Sequence, residues 1–167
     1  MKRILITGIS GTGKSTVIGT LAARGYQAID ADCDAFSEWV AVSDDAGTPG
    51  TPVEADRDWV WRTERMQALL STANADLLFV SGCAPNMGQF LPQFDHVILL
   101  SAPAAVIVER LATRTNNAYG KQPAEVARVL DLIETVEPLL RRVADSEIDT
   151  SAPLEEVVAA VLQLAQT

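Results

Sequence analysis

Cysteine and histidine are scarce. Cys33 and Cys83 are the only thiols in 167 residues, far apart and without metal-ligand spacing, which excludes a disulfide framework and a zinc ribbon. A reducing, cytoplasmic setting is the expectation. The single histidine, His96, opens an apolar run and reads as a structural residue. Positive charge is also short: 13 basic against 22 acidic side chains give a formal net charge of -9. Such a surface repels a phosphate backbone, so duplex DNA and bulk RNA are excluded as partners. No apolar run approaches the length of a membrane span, and the stretch between Arg3 and Gly8 is too short for a signal-peptide core. No membrane association is expected. What is abundant is core material: 48% hydrophobic residues, enough for one globular domain over 1–167 and too little chain for two.

Apolar runs bounded by turns alternate with segments of helical period, the pattern of a parallel sheet covered on both faces by helices. Strands are expected at 3–7, 27–30, 77–81, 96–101 and 147–150. The first helix should run from Gly13 to Arg24 and stop at Gly25, where a left-handed residue is cheapest. Residues 43–56, rich in Gly, Pro and Asp, read as a surface loop. A helix is expected from Asp58 towards Leu70. A further one spans 123–144, kinked or divided at Pro138, and Pro153 opens the last.

The chemistry begins at Gly8-Ile9-Ser10-Gly11-Thr12-Gly13-Lys14-Ser15. This Gly-x-x-x-x-Gly-Lys-Ser follows a short apolar strand and opens an amphipathic helix, the flanks that make the motif specific. The loop backbone from Gly8 through Ser10, Gly11, Thr12 and Gly13 can curl its N–H groups around a β-phosphate at a positive helix N-terminus. Lys14 would reach the β- and γ-oxygens, Ser15 would place its hydroxyl on Mg²⁺, and Thr16 would face the α-phosphate. ATP and Mg²⁺ are therefore the expected cofactors.

With Walker A at Gly8–Ser15, an Asp-x-Asp after the second strand, a glycine turn after the third, a lid and a late adenine-side loop, the chain resembles the small kinases of the shikimate kinase, gluconate kinase and nucleoside monophosphate kinase group. The resemblance implies a three-layer P-loop fold with a five-stranded parallel sheet in the order 2-3-1-4-5 and a lid that closes over ATP. It also implies that Asp30 holds a metal-bound water and that Asp32 orients or deprotonates the attacking hydroxyl. An Asp32/Asp34 register remains an alternative, with Asp34 otherwise an acidic helix N-terminus. Gly82 and Cys83 would turn backbone N–H groups towards the acceptor, with no carboxylate ending that strand. Trp61-Arg62 is similar to the Phe-Arg pair of shikimate kinases, which makes Arg62 the candidate acceptor anchor. Its other reading is a solvated helix face. Trp39, Trp59 and Trp61 could wall an acceptor pocket within 32–70, or be core residues. One departure matters: the arginine that binds the shikimate carboxylate in those enzymes falls on Val136.

The polar stretch 114–123 reads as the lid, with Arg114 and Lys121 as cations for the phosphates and Arg110 either on the nucleotide or paired within its helix. The cations of a helix C-terminus offer the alternative. Ser151, Ala152 and Pro153 would line the adenine. The sequence thus specifies an ATP-dependent kinase acting on a small-molecule hydroxyl or phosphate, as monomer or homodimer. A nucleoside or nucleoside monophosphate kinase, and a regulatory ATPase without acceptor, are the competing readings.

Overall fold

The computed structural model describes residues 1–41, 57–72, 75–115 and 120–167. The expected loop at 43–56 and residues 116–119 of the expected lid lie outside them. Five parallel strands, β1 (Lys2–Thr7), β2 (Gln27–Asp30), β5 (Leu77–Ser81), β6 (His96–Ser101) and β7 (Ser146–Asp149), form the sheet in the order β2-β5-β1-β6-β7. Counting only these five along the chain, that order is the expected 2-3-1-4-5. Between β2 and β5 lies a separate antiparallel pair, β3 (Ser37–Ala41) and β4 (Arg57–Trp61). Six helices complete the described elements: α1 (Lys14–Ala23), α2 (Thr63–Ser71), α3 (Ala104–Thr113), α4 (Pro123–Thr135), α5 (Glu137–Val143) and α6 (Leu154–Ala165), with a 3₁₀ segment at Met87–Gln93. Among the described residues, no helix is long and apolar enough to cross a membrane.

The strands are apolar on both sides because both sides are covered. Ile4 and Ile6 of β1, with Phe79, Ile98 and Leu100, pack on Val17, Ile18 and Leu21 of α1 and on Val157, Val158 and Val161 of α6. Leu5, Leu78, Val80, Val97 and Leu99 point the other way, onto Met66, Leu70, Phe90, Ile107 and Leu111. Period-2 alternation within β1 thereby feeds two cores at once. The central position of β1, bonded to β5 and β6, puts the loop that follows it in the middle of the sheet's C-terminal edge. That edge is where open α/β sheets bind ligands.

Helix ends follow local chemistry. Past α1, Gly25 N–H donates to Ala22 O and Tyr26 N–H to Leu21 O, at 3.0 and 3.1 Å, the paired bonds of a Schellman stop. Val136, at φ -107° and ψ -43°, separates α4 from α5. Pro138 sits in the first turn of α5, where its missing N–H costs nothing, and it prevents the two from forming one helix. Arg141 of α5 then binds Glu137 and, at 2.6 Å, Glu147 of β7, clamping the helix to the sheet edge.

The expectation of a helix from Asp58 is overturned. Residues 57–61 are strand β4, and helix begins only at Thr63, with Arg62 extended as its N-cap at φ -71° and ψ 109°. Trp59-Val60-Trp61 is rich in strand-favouring side chains and pairs with Ser37-Glu38-Trp39, placing Trp39 opposite Trp59 and Ser37 opposite Trp61. For the same reason no helix follows Asp34: the chain turns and enters β3.

Candidate active site

Gly13 sits at the N-cap of α1 with φ 96°, a conformation that side chains disfavour. It lets the loop swing from β1 into the helix without displacing the backbone N–H groups. Ser10, Gly11, Gly13, Lys14, Ser15 and Thr16 all line one cavity of about 510 Å³. Lys14 folds back into the loop, its Nζ donating to Gly8 O at 2.5 Å and Ile9 O at 2.9 Å. These bonds hold the ammonium over the cradle. Thr12 differs from expectation: its side chain is buried and donates to Ile9 O at 2.9 Å, so it braces the loop from behind.

Across the cavity stand Asp30 and Asp32. Asp30 ends β2; its Oδ2 accepts from Ser15 Oγ at 3.0 Å and its Oδ1 from Asp32 N–H at 3.0 Å. A hydroxyl and a carboxylate side by side are hard oxygen donors of the kind Mg²⁺ takes alongside water and phosphate. Asp32 Oδ1 accepts from the Trp61 indole at 3.3 Å, and Oδ2 from Cys83 N–H at 3.2 Å. Burial raises its carboxyl to about 6; Lys14 pulls it down, Asp30 pushes it up, and the Trp61 and Cys83 hydrogen bonds lower it. A carboxylate near that value can take a proton at neutral pH. Asp34 is exposed and is not among the residues lining the cavity, its carbonyl oxygen accepting from Arg62 Nε at 3.1 Å. Of the two registers, Asp30 with Asp32 is the one that shares the cavity.

Gly82 also needs correction. Its N–H is spent on Ile6 O at 3.1 Å and the Cys83 N–H on Asp32, so neither is turned towards an acceptor. The glycine matters through its lack of a side chain: a Cβ would come within 2.9 Å of both Asp32 Oδ1 and the Trp61 ring. Cys83 is buried, and burial pushes its thiol up to about 11, so it is a packing residue rather than a nucleophile.

The expected cations divide. Arg110 and Arg114 line the cavity. Arg110 does not pair within its helix: it donates to Gly11 O at 3.3 Å, Thr150 Oγ1 at 2.8 Å and Thr150 O at 2.5 Å. Lys121 is drawn elsewhere, to Leu111 O, Ala112 O and, at 2.7 Å, Arg114 O, the end of α3 where a cation satisfies unpaired carbonyls. Arg62 is likewise committed, to Asp34 O, to Ser37 O at 3.2 Å and to Glu38 at 3.2 Å. The structure brings neither Lys121 nor Arg62 into the cavity. His96 bonds Ser146 Oγ at 2.9 Å across β6 and β7, as a structural residue would.

Sequence reasoning missed Thr150. This buried hydroxyl donates to Thr12 O at 2.8 Å and accepts from Arg110, joining the phosphate loop to the loop after β7, where Ala152 and Leu154 continue the cavity wall. Its place just past a strand end was the available signal. Asn86 was missed too: it brackets Trp61, accepting from its N–H at 3.0 Å and donating to its O at 2.9 Å.

A family model described as an AAA domain matches residues 4–131. Shikimate kinase 2 of Yersinia enterocolitica is 31% identical over 172 residues, covering 96% of this chain and 94% of that protein. The chain belongs to the shikimate kinase-like family of P-loop kinases. It is an ATP-dependent kinase of a small molecule. Solved structures agree on the fold: shikimate kinase from Acinetobacter baumannii in complex with shikimate superposes with a TM-score of 0.65 at 21% identity, covering 98% of this chain and 92% of that one. A gluconokinase from Sinorhizobium meliloti gives 0.52 at 19% identity, covering 99% and 94%.

Proposed function

We propose that this kinase moves the γ-phosphoryl group of ATP onto a hydroxyl of a small metabolite, using Mg²⁺. The observation that carries the reading is the shared cavity, lined by Lys14 and Ser15 together with the half-buried Asp32 carboxylate. Lys14, Arg110 and Arg114 attend the donor phosphates; Gly8 to Thr16 cradle them. Asp32 aligns the acceptor hydroxyl and takes its proton as the new O–P bond forms and the bond to the leaving ADP breaks. Positioning dominates such transfers, so one carboxylate suffices. Ser15 and Asp30 would hold Mg²⁺, which would supply positive charge against the negative charge of the phosphates.

Shikimate itself fits poorly. The position at which its carboxylate would meet an arginine is Val136, which is buried with the apolar residues under α4 and α5. A coupled ADP-release screen of sugars, polyols, nucleosides and nucleotides tests the reading. Acceptor-dependent turnover with a hydroxyl compound is the expected result, and ADP release indifferent to every acceptor would overturn it. Transfer is further expected to fall to background in excess chelator and to return with added Mg²⁺. Undiminished turnover in chelator would remove the metal role from Ser15 and Asp30.

A further inference from the structure

Thr150, the first residue beyond β7, is buried, yet it belongs to the wall of the cavity together with Gly11, Gly13 and Arg110. Its hydroxyl has partners of two kinds. It donates to Thr12 O at 2.8 Å, with Ser101 O at 3.2 Å the longer alternative for the same proton, and it accepts from Arg110 Nη1 at 2.8 Å. The Thr150 carbonyl oxygen takes a second guanidinium N–H, from Nη2. Nη1 also reaches Gly11 O at 3.3 Å. One threonine thus touches both the phosphate loop and the arginine, and the arginine touches the loop in turn.

Peptide geometry carries these contacts into the loop. No peptide bond here is cis, and in a trans peptide the carbonyl and the N–H point opposite ways. Holding Gly11 O and Thr12 O from behind therefore sends the N–H groups of Thr12 and Gly13 forward. No backbone carbonyl among the described residues accepts from either. Two successive N–H groups left open on one side make a concavity for an anion.

The guanidinium is oriented by the same bonds. Arginine carries five N–H donors in a flat fork, and Thr150 with Gly11 takes three of them, two on Nη1 and one on Nη2. The remaining Nε–H and second Nη2–H lie side by side on one edge. A phosphate accepts two parallel hydrogen bonds from such an edge, and none of the hydrogen bonds of Arg110 uses it. Without the threonine hydroxyl, a long side chain with several rotatable bonds would lose the contact that fixes its fork.

We propose that Thr150 is a positioning residue for the donor nucleotide, turning the open edge of Arg110 to the phosphates and backing the phosphate loop through Thr12 O. This rests on the placement of the donor phosphates proposed above and deepens it. Thr150 acts chiefly through Arg110, so the two residues should be coupled.

Calorimetric titration with ATP and Mg²⁺ tests this without any acceptor. Thr150→Val, close in shape but lacking the hydroxyl, is expected to weaken ATP about tenfold, the scale of a hydrogen bond to a charged group. Thr150→Ser keeps the hydroxyl and should stay within threefold of the parent. Arg110→Met should cost tenfold or more, and adding Thr150→Val to it less than threefold further, because the partner through which the threonine acts is already gone. Should the valine variant melt below the assay temperature, Thr150→Cys, close in size and only a weak donor and acceptor, takes its place in every arm. A folded hydroxyl-free variant with the parent's ATP affinity, a serine variant as weak as valine, or losses that multiply in the double variant would overturn the positioning role and leave the donor site standing. Parental affinity in Arg110→Met would remove that arginine from the donor site and the proposal with it.

Discussion

Lys14→Met is expected to keep the fold and to lose phosphoryl transfer by about 10²-fold or more, the scale at which preorganised electrostatic stabilisation is removed. The Lys14 side chain reaches no core cluster. Its ammonium contacts are two loop carbonyls, Gly8 O and Ile9 O, which water can satisfy once the side chain shortens. Methionine is close in length and flexible enough to lie along the same path. The melting temperature should therefore move little while turnover collapses. A second effect follows from the carboxylate opposite. The lysine charge is the largest influence lowering the Asp32 carboxyl, so its removal should raise that group further above 6, visible as a later titration of the Asp32 side-chain carbon by NMR. A folded variant with full ADP release, or an Asp32 titration that does not move, would place the ammonium away from the reacting phosphates.

The parts of the fold that could be read from the chain are those in which one residue pattern had a single outlet. Apolar runs such as Leu77-Leu78-Phe79-Val80-Ser81 are too short for a helix and too apolar for an exposed strand, and they became β5 with the expected bounds. The phosphate loop was legible because its glycines, lysine and serine act locally, within eight residues. The hairpin was not, because its evidence is split. Ser37-Glu38-Trp39-Val40-Ala41 and Arg57-Asp58-Trp59-Val60-Trp61 share the alternation of a half-buried strand, but no two-residue turn joins them, and Thr63 opens a true helix immediately afterwards. Arg62 and Lys121 were misread for a related reason. A cation next to a site is indistinguishable in sequence from a cation that satisfies carbonyls, and only the three-dimensional positions of Ser37 O and Arg114 O decide between them. Thr150 carried too common a side chain to stand out until its partners Thr12 and Arg110 were seen beside it.

Asp32→Asn should cut transfer by about 10²-fold or more, the loss typical of removing a general base, with ATP affinity within a few-fold of the parent. The amide keeps the size of the side chain and can accept from the Trp61 indole, but it cannot take a proton. In the parent, kcat/KM should fall on the acid side through a limb near pH 6, since burial holds the Asp32 carboxyl at about that value and only the ionised form is competent. The asparagine variant should lack this limb. Stability should respond with the opposite sign. A carboxyl raised from 3.8 to about 6 is easier to keep protonated in the folded protein than in the unfolded chain. Its contribution is present below pH 4 and is lost as pH rises through 6, by at most about 3 kcal/mol and less where the group faces the cavity. The variant is thus expected to melt no lower than the parent at pH 7.5, and relatively lower at pH 4. Asp34→Asn, changing an exposed carboxylate that does not line the cavity, should alter neither profile. Calorimetric ATP titration, acceptor-dependent turnover from pH 5 to 9 and melting at both pH values would decide the assignment. Normal turnover in Asp32→Asn with loss in Asp34→Asn would move the base two residues along the chain and take the acceptor pocket with it.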